Sequence, residues 1–277
     1  MFVWDVDGRH FVIREVQSEA EYHAVEEIQR VAWEFNDLDI VPAATLMAIQ
    51  HAGGMVLGAF EGDKMMGFAC GFPAFEEGRA SIHSHMLAVV PEYRNLRIGF
   101  KLKLAQREFA LARGLDEITW TYDPLQSLNA HLNFGKLGVI SRRYIVNFYG
   151  EETSSPLHQG LGTDRLWVNW LLASDRVKER IAGCKQAERP AVPALVYSEK
   201  GRPKLASLNY LLSHDSCLIE IPHDITALKQ REPNLCVEWR ETTRAAFLAA
   251  VDAGFTARDF LREGGGPSPR WFYLLSR

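Results

Sequence analysis

The stretch VVPEYRNLRIGFKLKLAQREFALARGL, from Val89 to Leu115, decides how the rest of this 277-residue chain is interpreted. Apolar residues lead into a proline, a short basic segment and a long amphipathic segment that stops at Gly114, a natural C-terminal cap. Residues at helical spacing predict one apolar helix face: Ile98, Leu102, Ala105, Phe109 and Ala112. The residues predicted to lie largely on the opposite, solvated face are Lys101, Lys103, Arg107 and Glu108.

The start of this predicted helix is suited to bind an anion. The first backbone N–H groups of a helix have no internal acceptor and carry partial positive charge. Arg94, Arg97 and Lys101 add full charges nearby. The helix also follows a strongly apolar strand, SIHSHMLAVV, and sheets with such strands tend to bind ligands at that end. We therefore predict a ligand that carries phosphate, the alternative being an ordinary solvated helix start.

Composition narrows the classes of protein that fit. Hydrophobic residues make up 47% of the chain and charged residues 24%, which is typical of a globular fold with a sizeable core. The net charge of −4 predicts neither a nucleic-acid nor a membrane partner, so any basic site is local. The N-terminal segment lacks the apolar run of a secretion signal, and no run is long enough to span a membrane. Cysteines 70, 184, 217 and 236 form no metal-binding spacing, so we expect a reducing, cytoplasmic setting and no metal.

Periodicity predicts the order β α α β β β α β α β β over about 170 residues, beginning with a strand over 10–16. Ser18 and Glu21 have the spacing of a capping box and mark the start of the first helix. We divide the chain into a domain over 1–174, a connector rich in proline and charge over 175–205, and a smaller α/β domain over 206–277. The tail is predicted to hold a strand, a short helix, a long helix and a terminal strand pair. On the long helix, Trp239, Arg240, Arg244 and Phe247 form a stripe, which favours core packing but also allows a wall over a site or a dimer contact.

This element order and the segment VVPEYRNLRIG resemble the GNAT superfamily of acyl-CoA-dependent N-acyltransferases, whose motif is Q/R-x-x-G-x-G/A after the fourth strand. Arg94 fills the first position and Gly99 the last. Arg97 stands where the family usually has glycine. An arginine with helical backbone angles could add a charged hydrogen bond to the pyrophosphate, or it could block the approach. The resemblance covers about residues 10–174.

The resemblance implies a mixed, mostly antiparallel sheet splayed between its fourth and fifth strands, with acetyl-CoA or another acyl-CoA in the gap. The smaller C-terminal α/β unit, which is predicted from the elements of the tail, is GNAT-like itself in one interpretation. The pantetheine arm would pair with the backbone of Leu87, Ala88 and Val89, and the pyrophosphate would lie on the turn into the helix. The turn residues implied are Arg94, Asn95, Leu96, Arg97, Ile98, Gly99, Phe100 and Lys101.

The segment NAHLNFGKLGV resembles a second family motif, in which a tyrosine often protonates the departing thiolate. Phe134 stands at that position and has no proton to donate, so packing is its expected role. Asn129, Asn133 and Lys136 are the other cofactor-binding candidates in this segment.

Catalytic candidates follow from the chemistry of acyl transfer, which needs a deprotonated amine and a stabilised oxyanion. His83 and His85 lie two apart on the predicted fourth strand and so share a face, where either could act as a base. Tyr144 is a candidate to replace the missing acid, although a buried strand aromatic is the more ordinary interpretation.

Acceptor contacts are expected from the loop after the first helix, where Glu34 and Asp37 could pair with an amine. Arg142 could bind a carboxylate. Solvated surface charges are the alternative in each case.

These observations predict an acyl-CoA-dependent N-acyltransferase, transferring acetyl or succinyl directly to a small primary amine such as an amino acid. A homodimer is one option for its assembly. The alternative function is a non-catalytic acyl-CoA sensor, which the phenylalanine at 134 and the arginine at 97 favour.

Overall fold

A computed structural model describes residues 1–6, 8–76, 78–150, 160–183, 190–264 and 269–277. The chain divides into two compact units, the first over Met1–Trp120 and the second over the described residues from Thr121 to Arg277. No described helix combines the length and the apolar character needed to cross a membrane.

The first unit is built on a mixed sheet whose strands follow the chain order. Its antiparallel strands are β1 (Phe2–Val6), β2 (Arg9–Glu15), β3 (Met55–Glu61), β4 (Lys64–Glu76) and β5 (Arg79–Val89). β6 (Glu117–Tyr122) pairs with β5 in parallel. The strand predicted over 10–16 is β2, and the short β1 before it was not predicted. The strand that the sequence places fourth is therefore β5.

Three helices cover this sheet, namely α1 (Glu19–Trp33), α2 (Ala43–His51) and α3 (Ile98–Leu111). α1 begins at Ser18, whose hydroxyl accepts a hydrogen bond from the Glu21 N–H, as the sequence predicts. Residues of α1 and α2 pack with Met86 and Ala88 of β5 in one buried apolar cluster. One face of β5 thus belongs to the core beneath α1 and α2.

A β-bulge interrupts β5 at His85. Cys70 of β4 pairs with Met86, whereas the next residue, Gly71, pairs with Ser84, so His85 is the extra residue. Ser84 bonds to α3 side chains, and Leu87 lies 3.6 Å from the position that a Cβ on Gly99 would take. Both residues therefore face α3, although they lie three apart, which a regular strand does not permit.

The buried face of α3 is wider than the sequence predicts. The predicted apolar residues Ile98, Leu102 and Phe109 are buried, but so is Lys103, with 5% of its surface exposed. The prediction that Lys103 lies on the solvated face is therefore wrong. Lys103 forms a second inward stripe with Gln106 and Ala110, at the i, i+3, i+7 spacing that keeps side chains on one side of a helix.

The second unit has seven strands in the spatial order β8-β7-β12-β13-β11-β9-β10. They are β7 (Ile140–Ile145), β8 (Arg165–Leu171), β9 (Ala194–Glu199), β10 (Arg202–Leu205), β11 (Ser216–Ile221), β12 (Thr256–Glu263) and β13 (Arg270–Ser276). Only the pairing of β9 with β11 is parallel among those described.

The helices of this unit are α4 (Ser127–Ala130), α5 (Asp175–Ile181), α6 (Tyr210–Ser213), α7 (Ile225–Arg231) and α8 (Pro233–Asp252). α4 continues as a π-helix over His131–Leu137, which ends at Gly138 with φ 74°. The strand pair and the two helices predicted for the tail are present as β12, β13, α7 and α8.

The segment predicted as a connector carries folded elements. α5, β9 and β10 lie within 175–205, and Leu195 and Val196 of β9 are fully buried. The prolines and charged residues of this segment predicted a connector without folded elements. The short apolar strand β9 was missed because it lies between two polar stretches. Along the chain, the division between the two compact units falls inside β6, after Trp120, rather than at the predicted boundary of 174. Cys184 of this segment lies outside the described residues.

The stripe on α8 belongs to the core of the second unit. Trp239, Arg240 and Phe247 are all at most 3% exposed. Arg240 donates two hydrogen bonds of 2.8 Å to the Asp123 carboxylate. Arg244 binds the Asp164 carboxylate with bonds of 2.8 and 2.9 Å. This is the core-packing interpretation of the stripe, with each arginine neutralised by an aspartate.

Candidate functional site

The turn into α3 presents an open helix start. A 3-10 helix over Pro91–Leu96 follows β5, and Arg97 then takes a left-handed conformation with φ 58° and ψ 19° before α3 begins. No side chain of the described residues caps this start. The N–H of Lys101 is the first to bond back, to the Arg97 carbonyl at 3.1 Å. The N–H groups of Ile98, Gly99 and Phe100 precede it at the open end.

Arg97 does not have the helical backbone angles expected from the sequence. The chain must change direction between the 3-10 helix and α3, and it does so through one left-handed residue. Such a conformation places the Cβ of an L-residue close to the following carbonyl, at a cost of about 1–2 kcal/mol. Glycine avoids this cost, which gives a backbone reason for the glycine usual at this position in the resembling family.

Three cations surround this helix start. Arg94 and Arg97 are exposed, and Lys101 is half-buried. The closest acceptor for Arg94 is the Val89 carbonyl, 3.4 Å from its Nε, and Lys101 Nζ lies 6.0 Å from the ring centre of Trp4. In the described part of the chain, no carboxylate forms an ion pair with any of the three. Their charge is therefore available to an anion.

Tyr93 anchors the turn rather than extending the site. It is buried, its hydroxyl donates to the Glu61 carboxylate at 3.3 Å, and Arg9 lies 4.9 Å above its ring. The side chain of Asn95 lies outside the described parts. Leu96, the remaining residue of the predicted turn, is half-buried in the 3-10 helix.

β5 and β6 part soon after they meet. Over their described residues they pair at two positions, Ile82 with Ile118 and His83 with Thr119. Leu87, Ala88 and Val89 pair with β4 on one side and have no β6 partner on the other. This leaves a gap along β5 from Ser84 to Val89, beside the open start of α3. An extended amide chain could pair with this edge as a strand does.

His83 and His85 flank one ring, that of Phe72. Their ring centres lie 5.4 and 5.6 Å from it, so both face the same side, as the sequence predicts. His83 is buried and its Nδ1 lies 3.0 Å from the Thr119 hydroxyl. Burial, with smaller contributions from His85 and Lys103, lowers the pKa of His83 to about 4. Desolvation also lowers the pKa of His85, whose surface is more exposed. Both rings are neutral at pH 7 and can accept a proton.

Tyr144 lies in the second unit, and its hydroxyl and ring both have partners within that unit. Its hydroxyl donates to the Asp164 carboxylate at 2.6 Å, and its ring stacks on Phe247. Burial raises the pKa of Tyr144 well above its ordinary value. A phenol held in this way is a structural donor within the second unit. Arg142, predicted to bind substrate, is exposed on β7, with its Nε 3.4 Å from the Thr256 hydroxyl.

The second predicted cofactor segment forms α4 and the π-helix. Asn133 and Phe134 are buried, and Phe134 packs edge-on against Tyr273 with ring centres 5.6 Å apart. Asn129 and Lys136 are exposed. The packing role expected for Phe134 is therefore the one it has within this unit.

The predicted acceptor loop follows α1. Glu34 ends α1 in a left-handed conformation and is exposed. Asp37 is held by Arg30, whose two nitrogens lie 3.0 and 3.3 Å from the same carboxylate oxygen. Glu34 is thus the more available of the two carboxylates.

Sequence reasoning missed the polar contacts around the point where β5 and β6 part. Thr119, Ser84, Lys103 and Gln106 were not among the candidates. The available signal was the spacing of Lys103, Gln106 and Ala110 on α3, which predicts that two polar side chains share a stripe with an apolar one.

Residues 18–138 match the sequence model of the acetyltransferase (GNAT) family. No curated protein matches the chain. The structure is similar to that of the ribosomal-protein-S18-alanine N-acetyltransferase from Escherichia coli, at 16% identity and TM-score 0.48 over 59% of this chain and 95% of that one. It is also similar to a putative GNAT-family acetyltransferase from Desulfovibrio desulfuricans, at 15% identity and TM-score 0.48 over 59% and 99%. A third similar structure is aminoglycoside 6'-acetyltransferase type Ii, at 18% identity and TM-score 0.47 over 59% and 98%.

Proposed function

We propose, from the match of residues 18–138 to the model of the acetyltransferase (GNAT) family, that this protein transfers an acyl group from acyl-CoA to the primary amine of a small molecule such as an amino acid. The match supports the superfamily and the class of transferase predicted from the sequence, and the mixed sheet of the first unit agrees with the predicted fold class. The acyl group, the acceptor, a cytoplasmic location and a homodimeric state belong to the proposal.

The observation that carries the proposal is the open start of α3 beside an unpaired edge of β5. In our proposal the pyrophosphate of CoA lies on the N–H groups of Ile98, Gly99 and Phe100, where the helix dipole favours negative charge. Arg94, Arg97 and Lys101 supply charge-assisted hydrogen bonds at the same end.

The pantetheine arm then follows β5. The backbone of Leu87, Ala88 and Val89 is the edge without a β6 partner, so its amide groups can bond to those of the arm. This places the thioester toward the bulge at His85, where the strands converge. A backbone N–H there would stabilise the oxyanion of the tetrahedral intermediate.

The reaction requires the loss of two protons from the acceptor nitrogen and one bond exchange at carbon. The ammonium of the acceptor loses a proton to His83 or His85, directly or through water, and its nitrogen attacks the thioester carbonyl. The C–N bond forms, the C–S bond breaks, and the thiolate leaves with the electron pair, while the second proton lost by the nitrogen passes through water to the thiolate. Because His83 has a pKa of about 4, it is a weak base, and positioning of the reactants must supply much of the rate.

Glu34 is the proposed contact for the acceptor ammonium, because it is exposed on the loop after α1. Asp37 and Arg142 remain secondary candidates. Tyr144 and the segment with Asn129, Asn133, Phe134 and Lys136 also stay predictions, since their contacts lie within the second unit.

The test is a thiol-release assay with acetyl-CoA and succinyl-CoA across a panel of primary amines. His83→Asn keeps a hydrogen-bonding group near Thr119 but cannot titrate, and His85→Ala removes the second ring. We expect turnover with at least one amine and a loss of at least tenfold in one of these variants. His51→Ala, at the exposed end of α2, is the matched control and should retain full turnover.

A sensor is the second candidate function, favoured by the weakly basic His83 and the engaged Tyr144. Tight binding of acyl-CoA with no thiol release for any amine would support the sensor and contradict the enzyme. Absence of CoA binding would contradict both.

A further inference from the structure

A buried polar cluster lies where β5 and β6 part. Ser84 and Trp120 are the first residues after the last paired positions, His83 and Thr119. Lys103 of α3 bridges them, because its Nζ lies 2.9 Å from the Ser84 hydroxyl and 3.6 Å from the centre of the Trp120 ring. Its ammonium group therefore lies at the inner end of the gap between the two strands.

The cluster has more hydrogen-bond donors than acceptors. Lys103 donates to Ser84, and Ser84 donates to the Gln106 side-chain oxygen at 3.0 Å. The Gln106 side-chain nitrogen is buried and has no hydrogen-bond partner. Within the described ranges no carboxylate forms an ion pair with Lys103, which is only 5% exposed. An unpaired buried ammonium and an unpaired buried amide are both costly.

The position of the cluster relates it to the proposed cofactor. Ser84 and Val89 are five residues apart, which corresponds to about 16 Å of extended strand. α3 begins just beyond Val89, at the proposed pyrophosphate site. An extended diamide arm that starts there and follows β5 ends near Ser84. The acyl group attached to that arm would then reach Lys103 and Gln106.

We propose that Lys103, Gln106 and Ser84 form a subsite for the terminal carboxylate of the acyl group, so that the preferred cofactor is the thioester of a dicarboxylic acid such as succinyl-CoA. This inference rests on the proposed function and narrows its acyl donor. A carboxylate supplies the counter-charge for Lys103 and the acceptor for the Gln106 amide. An acetyl methyl group supplies neither, and would leave Lys103 without a counter-charge and the Gln106 amide nitrogen without an acceptor.

Proton uptake by Lys103 on ligand binding is a second, independent measurement of this subsite. Burial lowers the pKa of Lys103 to about 7, so a substantial part of the protein holds a neutral amine above that pH. A bound carboxylate favours the ammonium form. Binding of succinyl-CoA at pH 8 should therefore take up a proton, whereas binding of CoA should not. Titration calorimetry in two buffers of different ionisation enthalpy measures this uptake directly.

The experiment compares CoA, acetyl-CoA and succinyl-CoA by calorimetry in the wild type and in two variants. Lys103→Met keeps an unbranched side chain, one heavy atom shorter, without the charge. Gln106→Glu places an internal carboxylate beside Lys103 and closes the subsite to a second one. We expect the wild type to bind succinyl-CoA at least tenfold more tightly than acetyl-CoA. In both variants that preference and the proton uptake should disappear, while the Kd for CoA stays within twofold.

Equal affinities of the wild type for acetyl-CoA and succinyl-CoA would overturn the inference and leave the proposed function intact. The same holds if the preference survives in Lys103→Met. If Lys103→Met does not fold, Gln106→Glu alone decides, by the same criterion. A wild type that binds none of the three compounds would overturn the proposed function itself.

Discussion

The arginines at the start of α3 and those on α8 differ in their partners. Arg94 and Arg97 are exposed and form no carboxylate ion pair within the described residues. Arg240 and Arg244 each bind an aspartate through two hydrogen bonds. The charges of the first pair are therefore available to a ligand, whereas those of the second pair are neutralised by aspartates within the fold. The location of the counter-charge, rather than the residue type, separates a binding residue from a structural one.

Lys103 is an intermediate case between these two regions. Like Arg240 it is buried, but like Arg94 it has no carboxylate partner in the described part of the chain. Such a residue destabilises the ligand-free protein and favours the binding of an anion.

Arg240→Ala should give the largest loss of stability. It leaves the Asp123 carboxylate buried without its cation, and breaking a buried pair costs about 3–5 kcal/mol. Urea denaturation at pH 7 measures the change in the free energy of unfolding. Arg231→Ala, at the exposed end of α7, is the control and should change it by less than about 0.5 kcal/mol. Similar losses in the free energy of unfolding for the two variants would contradict a structural role for the Arg240–Asp123 pair.

Lys103→Met should stabilise the ligand-free protein, and the gain should depend on pH. Because burial lowers the pKa of Lys103 from its usual 10.5 to about 7, the folded chain loses this proton near pH 7 while the unfolded chain keeps it until about 10.5. Wild-type stability from this residue therefore rises with pH across that window. The advantage of the variant should shrink by up to about 1.4 kcal/mol per pH unit above pH 7.

Urea denaturation at pH 7, 8 and 9 checks this trend. Lys204→Met, on an exposed position of β10, is the matched control and should show a difference from wild type that does not vary with pH. A constant difference for Lys103→Met as well would mean that the folded protein keeps Lys103 charged.

Arg94→Ala should weaken CoA binding without affecting stability. Loss of a hydrogen bond to a charged group corresponds to about 1.5–3 kcal/mol, or roughly 10- to 150-fold in Kd. A pantetheine fragment without the nucleotide should bind the variant as it binds the wild type. Arg113→Ala, at the far end of α3, serves as the control in the same calorimetric titrations. Equal losses for CoA and for the fragment would contradict the phosphate role.

Substitution of Arg97 should have the smallest effects. Arg97→Gly relieves about 1 kcal/mol of left-handed strain, but the added freedom of glycine in the unfolded chain offsets most of this gain. We expect a net change in stability below about 0.5 kcal/mol and a loss of a few-fold in CoA affinity. Arg97→Ala should lose the same affinity, because the charge is what both remove. Tighter binding by Arg97→Gly would mean that the arginine obstructs the pyrophosphate.

The sequence predicted those features of the fold that depend on local periodicity. The strand–turn–helix around Val89 to Leu111 and the capping of α1 by Ser18 follow from spacing within a few residues. The conformation of Arg97 did not follow, because a left-handed residue leaves no trace in hydrophobic spacing. A glycine there would have indicated it.

The candidate site was predicted in part, for a similar reason. The exposed cations at the start of α3 were recognisable because their position after an apolar strand is local information. The burial of Lys103 depends on Trp120, and the engagement of Tyr144 depends on Asp164, 20 residues away. Such partners depend on tertiary packing, which one sequence does not reveal.

The extra residue at position 85 reverses the alternation of side chains along β5. Upstream of it, even-numbered side chains point to α3, and downstream of it odd-numbered ones do, as Ser84 and Leu87 show. Deleting that single residue would restore strict alternation and leave Met86 and Ala88 in the core under α1 and α2, so what the bulge adds is the ring of His85 beside Phe72, on the same side as His83. The extra residue therefore places a second imidazole beside the point where β5 and β6 part without changing which side chains form the core.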